Sequence, residues 1–525
     1  MKRRVFLKAA AGLPLLAAPR VAQAEKSKTL RFVPVSDLAV LDPVWTGARV
    51  TRNHGYLVFD ALYGLDETLT VRPQMAAAHT IDRDGRRWTI TLRDQLRFHD
   101  NEPVRARDVV ASLRRFCARD GFGQSLLAVT DELSALDDRT IVFRLKKPFP
   151  HLAQVLAGST ADMPCIMPER LAVTDPYKQV TEMVGSGPFR FLPEEHVAGS
   201  RTVYERFAGY VPTGEGHTSF LAGPKTVHFD RIEWITIPDP ATAAAALEAG
   251  EVDWWELPPN DLLATLARNR DLRLATDPMQ TAIGIMRFNH LFPPFDNPRI
   301  RRALLGAVDQ GAAMQAVAGV DRTGWRDAIG LFGPDSPLAN DAGIEVMTSP
   351  RSYAAVRKAL SEAGYRGERI VALDVADISV LHAVSSVGLD ELVRSGMNVD
   401  IQTIDFGTAV RRRSSRQAPN QGGWNVFCTL IDGTYNFTPG GNSWLRGNGE
   451  WIGWPKSERL EELYQAWLDA PDLAAEKKVC QALQLQFWQD VPYIPMGQYS
   501  QSTCYNRRLT DIPKGFPLFY GVRAA

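Results

Sequence analysis

Cysteine is scarce in this chain of 525 residues. There are five, Cys117, Cys165, Cys428, Cys480 and Cys504, and no two form a Cys-x-x-Cys pair. An odd number so widely spaced leaves at least one thiol without an intramolecular partner and excludes a disulfide framework. The nine histidines fall singly, with neither His-x-x-x-His nor His-Glu-x-x-His. The sequence therefore supports no zinc site, and no cofactor is expected. Net charge is also missing, with 60 Lys and Arg against 60 Asp and Glu. Such balance offers no field to nucleic acid or to an anionic membrane. The run Arg411-Arg412-Arg413 reads as a solvated face. Apolar stretches are short. The stretch from Ala9 to Ala18 is interrupted by Gly12 and Pro14, and it falls well below the roughly 20 residues that span a hydrocarbon core.

Catalytic signatures are missing too. Gly185-Ser186-Gly187 does not have the Gly-x-Ser-x-Gly spacing of a nucleophile elbow. Gly223-Pro224-Lys225-Thr226 lacks the glycine that precedes lysine in a phosphate-cradling loop, and no Gly-x-Gly-x-x-Gly opens a helix. An enzyme is not expected; an exported enzyme stays open as the alternative.

What is present begins with Lys2-Arg3-Arg4-Val5-Phe6-Leu7-Lys8, followed by the short apolar stretch and by Ala22-Gln23-Ala24. Paired arginines, an apolar segment and small residues before a cleavage point predict a twin-arginine export signal over residues 1–24, with Arg3, Arg4 and Ala24 as its marks. The Tat translocase is then a partner during export. No cysteine stands at the cleavage point, so a soluble, unanchored periplasmic protein is expected. The leader carries five basic and no acidic residues, which leaves 55 basic against 60 acidic side chains. The remaining 501 residues exceed one hydrophobic core and predict two or three domains.

The periodicity switches repeatedly. Trp88, Ile90 and Leu92 alternate as in a strand, then Val109, Leu113 and Phe116 take helical spacing. Asn297-Pro298 reads as an N-cap followed by the first helical residue. Gly364 reads as the left-handed terminator of a helix from Ser352. Alternation of this kind through the chain predicts an α/β protein with mixed sheets. Residues 419–455 differ, with Trp424, Tyr435, Phe437, Trp444, Trp451 and Trp454 among glycines and polar residues. Aromatics in an irregular stretch suit a binding surface.

The segment Leu96-Arg-Phe-His-Asp-Asn-Glu-Pro-Val-Arg-Ala-Arg-Asp-Val resembles the signature of the family 5 extracellular solute-binding proteins, which serve ABC importers of peptides, nickel and other solutes. Asn101 stands where that family usually has glycine, a change that the left-handed conformation tolerates. Gly185-Ser-Gly-Pro-Phe-Arg-Phe, Ala249-Gly-Glu-Val-Asp253, Asn289 through Ala303, Ala359 through Gly367 and Val491-Pro-Tyr-Ile-Pro-Met agree in order and spacing. The resemblance spans nearly all of the chain after residue 24.

The resemblance implies a two-lobed periplasmic-binding-protein clamshell of class II type with an extra domain. Residues 25–70, 187–280 and 487–525 would form domain I, 71–186 domain II and 281–486 domain III. A short peptide or peptide-like, amine-bearing solute would be enclosed between lobes and passed to permease subunits in the inner membrane by a monomer. In peptide-binding members an aspartate near a tryptophan meets the ligand ammonium; the matching region runs from Gly423 through Asn436, with a longer Trp-to-Asp spacing. Asp432 is then the candidate ammonium partner, and an Asp-Gly turn former is the alternative. Trp424 and Trp45 are candidates for stacking and Arg287 for a ligand carboxylate, with Tyr435 and Asn436 beside them. A nickel chelate, an opine or a sugar derivative stays open as the solute, as does a partnership with a sensor or chaperone.

Overall fold

Two strands of unusual length, Leu272–Phe288 with 17 residues and Tyr493–Asn506 with 14, run antiparallel through the middle of the protein. They are seen in a computed structural model that describes residues 28–158, 163–214 and 216–525. Arg3, Arg4 and Ala24 lie outside the described residues.

The two strands are the centre of an eleven-stranded sheet. On one side come Val426–Asp432, Arg369–Val375 and, at the edge, Asn398–Ile404. On the other come Trp254–Trp255, Thr29–Val33, Arg231–Ile235, Arg201–Arg206 and Phe189–Phe191. Register holds from Leu272↔Asn506 to Thr276↔Ser502, breaks, and resumes at Thr281↔Ser500. Four residues, 277–280, thus lie opposite Gln501 alone. Pro278 lies in this break, where its missing N–H removes no ladder bond. Asp277 fixes the loop by accepting from the N–H groups of Met279 at 2.8 Å and Gly515 at 2.7 Å. Each side of the break has its own flanking strands and helices, so one sheet serves two lobes, the first with Thr29–Val33 and the second with Val426–Asp432.

A separate four-stranded antiparallel sheet, in the order Ala76–Ile81, Arg87–Leu92, Thr140–Leu145, Thr130–Ala135, makes a smaller domain. Trp88, Ile90 and Leu92 point into its core, and the helix Ala106–Arg119 turns Val109, Leu113 and Phe116 inward as the spacing predicted. Asn101 has φ 68°, the left-handed conformation expected of it. This domain is joined to the first lobe by a fully buried ion pair, Arg115 to Asp42 at 2.6 Å. Asp42 also accepts from the Val180 N–H at 2.8 Å, so no lone pair is wasted on an apolar wall.

The helix caps follow the sequence. Asn297 accepts from the Arg299 N–H at 2.9 Å, Pro298 opens the helix Pro298–Leu305, and Gly364 closes Tyr353–Ala363 at φ 101°. All five cysteines are buried and free, and burial pushes their thiols up. Among the described residues, no helix is long and apolar enough to cross a membrane.

Candidate functional site at the lobe junction

The strand Val426–Asp432 runs parallel to Arg369–Val375, which is parallel to Asn398–Ile404. Open sheets of this kind collect ligands beyond the carboxyl ends of their strands. Asp432 is the last residue of its strand. Its Oδ1 accepts from the Thr434 N–H at 3.1 Å and the Thr434 hydroxyl at 2.7 Å, which shapes the turn Gly433–Asn436. Its Oδ2 faces the other lobe. There it accepts from Arg52 Nη1 at 3.0 Å and lies 3.6 Å from Arg49 Nη2. Burial alone would raise the Asp432 carboxyl, but Arg52 and then Arg49 outweigh it and hold the group below the usual carboxylate range.

Both arginines come from the helix Arg49–Val58. Positions 49, 52 and 53 share one face by the i, i+3, i+4 rule. Arg52 is 3% exposed, with its guanidinium 3.9 Å above the Phe516 ring. Asn53 donates to Glu256 Oε1 at 2.9 Å, and Glu256 Oε2 accepts from the Val35 N–H at 2.8 Å. Burial raises the Glu256 carboxyl even with Arg49 nearby. The helix buries Arg52 and Asn53 toward the junction, while His54 turns the other way to the Tyr204 hydroxyl at 2.9 Å. The sequence carries that signal as four consecutive polar residues, Thr51 to His54, in an otherwise core-forming helix.

The other candidates are placed as follows. Trp424 is fully buried, its indole N–H bound to the Arg413 carbonyl at 3.1 Å and its ring against Phe427 and Trp454. It has no surface to offer a solute in this conformation. Arg287 is also fully buried and donates to the carbonyls of Ile452, Trp444 and Pro492 at 2.7, 2.8 and 2.9 Å. It ties the stretch 437–457 to the turn at Pro492. Asn436 donates to the Leu331 carbonyl at 2.7 Å and the Tyr493 hydroxyl at 3.2 Å. Tyr435, half-buried, follows directly in the Asp432 turn. Trp45, also half-buried, lies under the Arg119 guanidinium at 5.1 Å. Of the aromatics in 419–455, Trp424, Phe437, Trp444 and Trp454 are buried, and Trp451 is 40% exposed. The junction brings together Asp432, Arg49 and Arg52, with Tyr435 in the turn that follows Asp432, while Arg287 and Trp424 belong to the core of one lobe. A cavity of about 560 Å³ lies elsewhere, on the small domain between Arg107, Arg114 and Thr174. Its chemistry is largely spoken for, because Arg115 is bound to Asp42 and Arg107 pairs with Glu169.

Residues 70–452 match the model of the bacterial extracellular solute-binding proteins, family 5. The whole chain is 33% identical, over 99% of the relative's length, to a protein of Sinorhizobium fredii named a probable peptide ABC transporter periplasmic-binding protein. Two solved structures share the fold over 95% of this chain. One is the A. tumefaciens R10 protein AgaA in complex with agropinic acid, at TM-score 0.78, 20% identity and 99% coverage of that chain. The other is a dipeptide-binding protein from Pseudoalteromonas sp. SM9913 in complex with Met-Leu, at TM-score 0.76, 19% identity and full coverage. A two-lobed α/β binding-protein fold with a charged lobe junction is the class these observations define. The chain belongs to the family 5 extracellular solute-binding proteins.

Proposed function

We propose that the protein captures a short peptide or peptide-like, amine-bearing solute between its lobes and delivers it to the permease subunits of an ABC importer in the inner membrane. The observation that carries this reading is the junction itself. Asp432 of one lobe meets Arg49 and Arg52 of the other, and behind them the lobes are connected by the break at 277–280 and Gln501. Two strands interrupted at one level make a hinge, and a hinge converts occupancy into a change of shape that a permease can sense. On this reading domain I comprises 25–70, 187–280 and the end of the chain, domain II 71–186, and domain III 281–486. The third piece of domain I is taken as 487–525, and the pairing of residues 493–500 with 281–287 supports a crossing between the lobes near Gln501. The protein works as an unanchored monomer in the periplasm after twin-arginine export, and it performs no chemistry on its solute. The 33% identity to a relative named for peptide transport supports a peptide. The fold shared with the agropinic acid complex keeps an opine as the second reading.

Mass spectrometry of what co-purifies with the native protein names the solute. Small-angle X-ray scattering with that solute then tests the mechanism: a smaller radius of gyration at saturation is expected, and an unchanged shape would sink the clamshell.

A further inference from the structure

Arg49 has more donors than Asp432 can satisfy. One oxygen, Oδ2, serves both guanidinium groups, while Oδ1 is turned away and committed to Thr434. Arg49 Nη1 is buried and has no partner among the described residues. Guanidinium groups bind carboxylates best through two parallel N–H···O bonds, a geometry that a carboxylate engaged in its own turn cannot supply here. Two further polar atoms around the junction are also buried without a partner. Asn53 Oδ1 is free to accept, since its Nδ2 is spent on Glu256. Thr281 Oγ1 lies under Gly433, where a Cβ would come within 2.0 Å of it; only glycine leaves that hydroxyl its place.

We infer that Arg49 and Arg52 form a carboxylate-binding subsite on the first lobe, and that Asp432 is its intramolecular occupant. The inference rests on the solute-capture reading above and adds the solute's chemical class: a zwitterion with a free carboxylate. Exchange of one carboxylate for another leaves both arginines paired throughout, so neither guanidinium is stranded in a low-dielectric site. The exchange also frees Asp432 Oδ2 for the solute's ammonium. Asn53 Oδ1 can then accept an amide N–H, and the Thr281 hydroxyl can meet a carbonyl or an amide. One solute thus replaces an interlobe ion pair with a bridge of its own between the lobes.

The experiment uses the full chain and calorimetric titration with dipeptides such as Met-Leu and Gly-Leu, their C-terminal amides and their N-acetyl forms. The free acids are expected to bind roughly 10–100-fold more tightly than the amides, the worth of charge-assisted hydrogen bonds to one carboxylate. Arg49→Gln should bring that ratio close to one, and Arg49→Lys should restore only part of it. Asp432→Asn should tighten binding of the N-acetyl acids, because it removes the internal competitor and keeps the oxygen that shapes the turn. Thermal denaturation of each variant separates lost binding from lost fold. Amides that bind as tightly as acids would overturn the carboxylate subsite and leave solute capture standing. Failure of every acid and amide to bind the folded wild-type protein would overturn the peptide reading and the subsite with it.

Discussion

His99 clasps Gly185: its Nδ1 accepts from the Gly185 N–H at 3.3 Å, its backbone N–H donates to the Gly185 carbonyl at 2.9 Å, and its Nε2 lies 3.1 Å from the Gly187 carbonyl. One neutral imidazole tautomer, protonated on Nε2, satisfies all of this. Two sequence motifs 86 residues apart are locked by a single side chain. The glycines are required on their other side, where a Cβ at Gly185 or Gly187 would strike the carbonyl of Val58 or Leu57.

A charged His99 would lose the Gly185 bond, and burial pushes this imidazole down to about 4. The unfolded chain takes up that proton near 6.5, so between about 6.5 and 4 it holds more protons than the native state, and stability from this group falls as pH falls. Glu391, pushed up to about 8 by burial, and Asp120, raised to about 6, act in the opposite sense. The clean measurement is therefore a difference. Urea unfolding of wild type and His99→Gln at pH 7 and pH 5 should show the variant gaining about 2 kcal/mol relative to wild type on acidification. A difference that stays constant across that range would mean that His99 is not held neutral.

Arg115 and Asp42 are a buried pair between the small domain and the first lobe, both essentially without exposure. Removing one partner strands the other charge. Arg115→Leu should lower unfolding stability by about 3–5 kcal/mol, and the double variant with Asp42→Leu should recover much of that loss. Chemical denaturation of the three proteins checks the cycle; a double variant no better than the single would mean that lost packing dominates.

How far the sequence was legible follows from what its signals encode. Period and caps are local, so Trp88, Ile90 and Leu92 and the Asn297–Pro298 start could be read directly. The α/β class followed from their alternation. Long-range pairings leave no local trace, which is why Arg287 looked available for a carboxylate while three backbone carbonyls from distant loops already held it. Trp424 was misleading for a related reason: glycine-rich surroundings suggest an exposed loop, yet the residue begins a segment that enters the sheet and its ring is core. The turn at Asp432 was legible because an Asp-Gly turn at a strand end is local. The arginine partners of Asp432 were not, because the nearer of them in sequence, Arg52, stands 380 residues away.

Asp432→Asn keeps the oxygen that accepts from Thr434 and removes the charge. If Asp432 is the ammonium partner, binding of a dipeptide amide, which has an amine and no carboxylate, should weaken by about 2–5 kcal/mol. Titration calorimetry reads this directly, and a loss below about 0.5 kcal/mol would leave the residue its turn and nothing more.

The small domain also touches the second lobe. His151 stacks on Trp467 with ring centroids 4.1 Å apart and planes at 22°, Phe122 packs on the same indole at 5.4 Å, and Ser125 reaches the Tyr464 hydroxyl at 3.3 Å. A Cβ on Gly440 would come within 2.7 Å of the Phe122 ring, so the second lobe approaches this ring closely. These contacts must part if the lobes swing apart about residues 277–280. Trp467→Ala removes the shared indole, worth on the order of 1 kcal/mol per aromatic pair beyond its buried area. It should therefore shift the population toward the open form and weaken solute binding by roughly tenfold, since a solute that needs closure is penalised by the fraction closed. Scattering should show a larger radius of gyration for the variant, reversed by saturating solute. A variant as compact as wild type, with unchanged affinity, would separate the His151–Trp467 contact from closure altogether.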